Sequence, residues 1–229
     1  MTLFIRAIYR IAWKDLLGDL RHRSTLASML FFVVATLVLF QAAFEPDQRQ
    51  ALQLLPGLLW ITALFSSMLG LGRVFQAEEE DGALEGLLLA PIPRGAIFLG
   101  KWCSNLLLTI LVELALVPLT LVLFNVDRWP DVGAMLAILW LGSLGLTGLG
   151  VLLAAMTQQA RARESLLALL LLPLVTPLLI AGVQAMAALL QQDMALALPW
   201  LRLMLVFDLV YLAVAPWAFG WLLQDVGSG

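Results

Sequence analysis

Charge, histidine and cysteine are all scarce in this chain, and each shortage closes off a class of function. Only 13% of the 229 residues are charged, against roughly a quarter in soluble domains, while 62% are hydrophobic. A water-soluble fold of this size cannot cover so much apolar surface, so lipid is its solvent. The net charge of −3 argues against a nucleic-acid partner. The single cysteine, Cys103, leaves no internal disulfide and has no metal-ligand set around it; it reads as a small apolar helix residue. The single histidine, His22, stands between Arg21 and Arg23, a surface position. With no histidine cluster, paired catalytic acids or nucleophile constellation, a membrane-embedded enzyme finds no support. No useful repeat relates the two halves, which weakens an inverted-repeat secondary transporter.

What is present is a set of long apolar runs. Six segments are each long enough to cross, about 20 helical residues being needed. They lie near Ser24–Phe44, Leu52–Gly72, Gly95–Phe124, Val132–Met156, Ser165–Leu190 and Leu201–Leu223. The third is longer than required, and Pro118 marks a candidate kink. Before them, Arg6, Arg10, Lys14, Asp15 and Asp19 interrupt residues 1–23 too often for a cleavable signal peptide. At the helical period Arg6, Arg10, Lys14 and Arg21 share an arc of roughly 80°, opposite Phe4, Ile8, Ala12 and Leu16. This reads as an interfacial amphipathic helix, basic face to anionic headgroups and apolar face to the acyl boundary.

Basic residues set the expected orientation. With the N-terminus inside, Arg6, Arg10, Lys14, Arg21, Arg23, Arg73, Arg94, Lys101, Arg161 and Arg163 are cytoplasmic, and only Arg49, Arg128 and Arg202 lie opposite. Both termini are therefore expected inside. Trp129 and Trp200 then fall at outer boundaries and Trp13, Trp102 and Trp221 at inner ones, as an aromatic belt requires. The outer connections, Glu45–Ala51, Asn125–Asp131 and Gln191–Trp200, are short. The long connection, residues 73–94, is cytoplasmic.

That connection begins with Glu78-Glu79-Glu80-Asp81, a run of acids set against anionic lipid, which a covering protein would make more tolerable. After Gly82, Leu84, Leu87, Leu88 and Leu89 form an apolar run that ends at Pro91 and Pro93, which forbid helix continuation. A short helix charged at its start and apolar on one side suits a groove on a partner protein. The plainer alternative is a solvated acidic turn followed by a re-entry helix.

On these residues the chain resembles the haem exporter B (CcmB) family, the permease subunit of the cytochrome c maturation complex. The resemblance rests on Asp81-Gly82 followed by Leu84-Glu85, the leucines, and Pro91-x-Pro93. It extends to Pro56-Gly57, Trp60 and Ser66-Ser67 in the second span, and to Leu172-Pro173-Leu174 and Pro177-Leu178-Leu179-Ile180 in the fifth. Ala83, Gly86 and Arg94 depart from the common pattern. The wider ABC-2 class of exporters carries similar loops.

The resemblance implies an all-α, six-span ABC-2 permease of the type V exporter kind, one domain over residues 1–229, working as a homodimer on two copies of a cytosolic ATPase. A haem-handling membrane subunit and a haem chaperone belong to the same system, haem is the cargo, and ATP is bound by the partner. Glu78, Glu79, Asp81, Gly82, Leu84, Glu85, Leu88, Pro91 and Pro93 would couple ATP-driven closure to the spans. Either haem passes through the complex, or hydrolysis releases the haem-loaded chaperone with this subunit as transmitter. An ABC-2 permease for a drug, lipid or polysaccharide is the alternative; a structural scaffold for a synthase complex is another.

The run Gly95-Ala-Ile-Phe-Leu-Gly100-Lys101-Trp102 nearly matches a phosphate-binding loop, but Trp102 replaces the hydroxyl residue and no strand precedes it. Glu113, about 18 Å along its helix from Lys101, and Asp208 lie inside spans. Each costs roughly 2.5–3.5 kcal/mol at midplane, and one or both are expected at a subunit interface or substrate path, unless they serve packing alone. Ser143, Thr147, Gly150 and Ala154 form a small-residue stripe for close helix packing. Pro173 and Pro177 are expected to bend the fifth span against protein, because they free backbone carbonyls.

Overall fold

Breaks in the apolar runs become helix boundaries. The computed structural model describes residues 2–44, 48–75, 93–126, 131–158, 160 and 162–226. These form α1 (Thr2–His22), α2 (Ser24–Phe44), α3 (Gln48–Leu71), α4 (Arg94–Leu123), α5 (Val132–Thr157), α6 (Arg163–Leu190) and α7 (Met194–Val226). No strand occurs among them. The six from α2 to α7 are long and apolar enough to span a membrane, as the sequence implies.

The turns are short because local hydrogen bonds finish each helix. Arg23, with φ 53°, alone separates α1 from α2. Asn125 (φ 48°) and Gln192 (φ 59°) take the left-handed conformation that ends a helix. Val126 N–H then donates to the Leu121 carbonyl at 3.1 Å and Asp193 N–H to the Ala188 carbonyl at 3.0 Å. Asp131 and Asp193 cap the helices that follow, accepting from Ala134 N–H at 3.0 Å and Leu196 N–H at 3.1 Å. The connection expected over Gln191–Trp200 is therefore much shorter. α7 starts at Met194, seven residues before Leu201, and carries Pro199 inside it.

α5 stands at the centre, touched by α3, α4, α6 and α7, which also touch one another in a ring around it. α2 lies outside, against α3 and α4, and α1 packs on α4. In lipid no hydrophobic force joins helices, so close backbone approach must do it. The stripe Ser143, Thr147, Gly150 and Ala154 is buried, and small residues continue round the helix. A Cβ on Gly142 would collide with the Trp60 ring, one on Gly145 with the Asp208 carboxylate, and one on Gly150 with Leu71. On α6, Gly182 meets the same Trp60 ring.

Exposure bears on two expectations. Pro173 and Pro177 lie on the exposed side of α6, away from this chain's own helices. The buried stripe of α6 runs instead through Leu167, Leu171, Val175 and Leu178, and the prolines fall between its positions. Trp102 and Trp200 are partly buried against the core, and Trp102 Nε1 donates to the Leu144 carbonyl on α5 at 3.2 Å. Trp13, Trp217 and Trp221 are exposed.

Gly142→Val should lower the stability of the solubilised protein by about 1–3 kcal/mol, the usual range for overpacking. Gly57→Ala, where nothing lies within 4 Å, should leave it unchanged or slightly raised. Thermal unfolding followed by size exclusion in one detergent checks both.

Candidate functional site

Of the residues expected to couple, Glu78, Glu79, Asp81, Gly82, Leu84, Glu85, Leu88 and Pro91 lie outside the described residues. Pro93 is described. It precedes α4 with φ −58° and ψ 129°, and its carbonyl accepts from Ala96 N–H at 2.8 Å. What the structure defines is how the bundle holds the two ends of the 76–92 segment.

At the first end, Gly72–Phe75 leaves α3 in a turn whose backbone meets Lys101 of α4. Lys101 is only 2% exposed. Its ammonium donates to the Val74 carbonyl at 2.9 Å, pairs with Asp15 of α1 at 3.0 Å, and lies 5.4 Å from the Phe75 ring centroid. Phe75 stacks on Phe219 of α7 at 6.3 Å, and Phe219 touches Phe98 of α4 at 5.6 Å. At the second end, Arg94 Nη1 donates to the Gly220 carbonyl of α7 at 3.2 Å. Arg94, a departure from the family pattern, thus has a structural partner. Both ends rest on the same two helices, α4 and α7.

α1 completes this anchorage. Gly100 offers no side chain, so Ile11 settles onto it; a Cβ there would stand 2.7 Å from Ile11 Cβ. That seats Asp15 over Lys101. α1 consequently has three faces rather than two. Phe4, Ile8, Ala12 and Leu16, expected against acyl chains, are partly buried. The exposed apolar stripe is Ile5, Tyr9 and Trp13, with Tyr9 and Trp13 stacked at 6.2 Å, and Arg6, Arg10 and Lys14 flank it. Asp19, a turn after Asp15, hydrogen-bonds with Thr25. Burial holds its carboxyl above the ordinary aspartate range, aided by the Asp15 charge and only partly offset by that bond and by Lys101 and Arg73.

The phosphate-loop-like run is absorbed by this packing, since Gly95–Trp102 lies wholly within α4 and Lys101 is spoken for by Asp15 and Val74. Glu113 and Asp208 are 1% and 2% exposed and face the chain's own interior rather than its outer surface. Ser143 Oγ donates to Glu113 Oε1 at 2.5 Å. The Asp208 carboxylate lies against the Gly145 backbone of α5. Ser143 and Gly145 are two apart, and so on different sides of α5; the two carboxyls are not brought together. The sequence alone could have flagged Lys101, a lysine two turns inside an apolar helix, but not its partner. Asp15 is separated from it by the whole of α2 and α3.

This architecture defines a multi-pass, all-helical membrane protein with its longest connection fixed at both ends. Within that class, the chain belongs to the CcmB family, whose profile (CcmB protein) matches residues 6–225. It is 36% identical over 196 residues to heme exporter protein B of Paracoccus denitrificans, covering 84% of this chain and 86% of that protein. It is 35% identical over 184 residues to heme exporter protein B of Escherichia coli K12 (79% and 81% covered). To that of Pseudomonas aeruginosa it is 34% identical over 171 residues (75% and 76%).

Lys101→Met should cost about 3 kcal/mol, the low end for breaking a buried pair, because the Asp15 side chain keeps 12% of its exposure. Adding Asp15→Leu should recover most of that loss in a denaturation double-mutant cycle. Asp19 has a raised folded pKa, so the folded state binds its proton more tightly and stability falls as pH rises from about the ordinary value of 3.8 through the raised one. Asp19→Asn should flatten that limb of the stability–pH curve.

Proposed function

We propose that this protein is the permease subunit of an ABC-type complex for cytochrome c maturation. In this reading a separate cytosolic ATPase docks on residues 76–92. ATP is bound by that partner. The subunit passes ATP-driven closure into the spans, for haem export or for release of a haem-loaded chaperone outside the membrane. The name shared by the relatives, heme exporter protein B, supports haem as the cargo over a drug, lipid or polysaccharide.

One observation carries the coupling role: both ends of the 76–92 segment are tied to α4 and α7, through Lys101 to Val74 and Arg94 to Gly220. A segment gripped this way moves its spans as rigid bodies rather than absorbing the push as slack. The basic residues of α1, Arg73, Arg94 and Lys101 support an inner-membrane orientation with both termini cytoplasmic. Ile5, Tyr9 and Trp13 then enter the interface beside Arg6, Arg10 and Lys14, as a lipid-anchored helix does.

A homodimer fits the exposed side of α6. Pro173 and Pro177 deprive the carbonyls four residues earlier, of Leu169 and Pro173, of their helix donors. Such groups need protein cover in a bilayer, and a second copy supplies it. The haem-handling membrane subunit of the same system is the other candidate neighbour.

Leu84→Asp combined with Leu88→Asp should abolish pull-down of the ATPase and cytochrome c production while the protein still inserts. Retained binding with normal cytochrome c would remove the coupling reading and leave family membership alone.

A further inference from the structure

Four polar side chains follow one another at intervals of four along α4: Lys101, Asn105, Thr109 and Glu113. All are buried, and the interval of about 6 Å between turns is the span one water bridges with two hydrogen bonds. Three consecutive members leave an atom bare among the described residues: Asn105 Oδ1, Thr109 Oγ1 and Glu113 Oε2. Each such atom costs about 1–3 kcal/mol if nothing reaches it.

Thr109 is the informative one. Thr120, Thr147, Thr157 and Thr176 each donate to the carbonyl four residues back, at 2.7, 2.6, 3.0 and 2.7 Å. That is the ordinary way for a helix threonine in lipid to satisfy itself. Thr109 does not, and neither does buried Thr62 on α3, but only Thr109 stands in a line of such groups. Its neighbours are placed to match: Asn105 Nδ2 fits over Gly70, where a Cβ would come within 3.2 Å, and Glu113 uses only Oε1, on Ser143. Buried polar atoms in line and lacking protein partners are where structural water resides.

We propose that this face of α4 is a file of bound water sites through which Glu113 exchanges its proton with the α1 face of the bundle. At that mouth the partly exposed Asp15 pairs with Lys101, with Asp19 and Arg73 nearby. Beyond Glu113 the same side of α4 continues as Leu116, Val117 and Leu121, with Thr120 bonded to its own helix. The file is therefore one-sided and stops at Glu113. Asp208, on α7, meets the other side of α5 and takes no part. A proton leaves an acid in the water at the α1 face, bonds to Oε2, and leaves that acid's conjugate base behind; the return is the reverse. The assignment does not depend on ATPase coupling.

The test is infrared spectroscopy of the full chain in nanodiscs, with Glu113→Gln identifying the carboxyl band over the pH range in which the protein is monodisperse. On transfer to deuterated buffer the wild-type band should shift within the mixing time. Thr109→Val, which keeps shape and removes the hydroxyl, should slow that shift at least ten-fold, and Thr109→Ser should restore it. If Thr109→Val fails to fold, Asn105→Leu takes its place. The inference is overturned by any of four results: no Glu113→Gln-sensitive band, slow exchange in wild type, equal rates in wild type and Thr109→Val, or failure of Thr109→Ser to restore the rate. The last two would mark the polar stripe as helix packing alone.

Discussion

Close approach to α5 is the constraint on which the rest of the bundle depends. Lipid offers no hydrophobic gain for pressing two apolar helices together, so cohesion comes from backbone proximity and dense van der Waals contact. Gly142, Gly145 and Gly150 surrender their own side-chain space to Trp60, Asp208 and Leu71. Four neighbours can then close around one helix. That closure encloses Glu113 and Asp208.

The second dependence runs through α4. It receives α1 on Gly100, holds Asp15 and Val74 through Lys101, and reaches α7 through Arg94 and Phe98. The same helix carries Asn105, Thr109 and Glu113 inward. One helix thus joins the anchorage at Lys101 and Arg94 to the polar interior, with no loop in between. A lysine in this position is stable because its ammonium finds a carboxylate, a carbonyl and an aromatic face.

The outer surface follows a different logic. α1 divides its circumference among buried, exposed apolar and basic sectors, and only the last is simple to see in the sequence. α6 presents Pro173 and Pro177 outward, where the carbonyls they free find no partner helix of this chain.

Sequence alone determined the membrane class, the six spans and their approximate limits, because crossing a hydrocarbon layer demands about 20 apolar residues in a row and nothing else in the chain imitates that. It also determined the small-residue stripe on α5 and the isolation of Glu113 and Asp208 among apolar neighbours. Tertiary structure decided what those residues meet. Lys101 was readable as one of ten basic residues on one side, yet its partner Asp15 lies two spans earlier in the chain, beyond the reach of any local period. Thr109 and Asn105 gave no signal at all, since a lone threonine or asparagine in an apolar helix ordinarily satisfies itself locally, and only the packed arrangement shows that Thr109 does not. The turn at Gln191–Asp193 was missed for a local reason: a left-handed glutamine ends α6 without the glycine that usually announces such a stop. Hydrophobic length is a property of the chain, whereas pairing, burial and the direction a side chain faces belong to the neighbours that the fold brings to it.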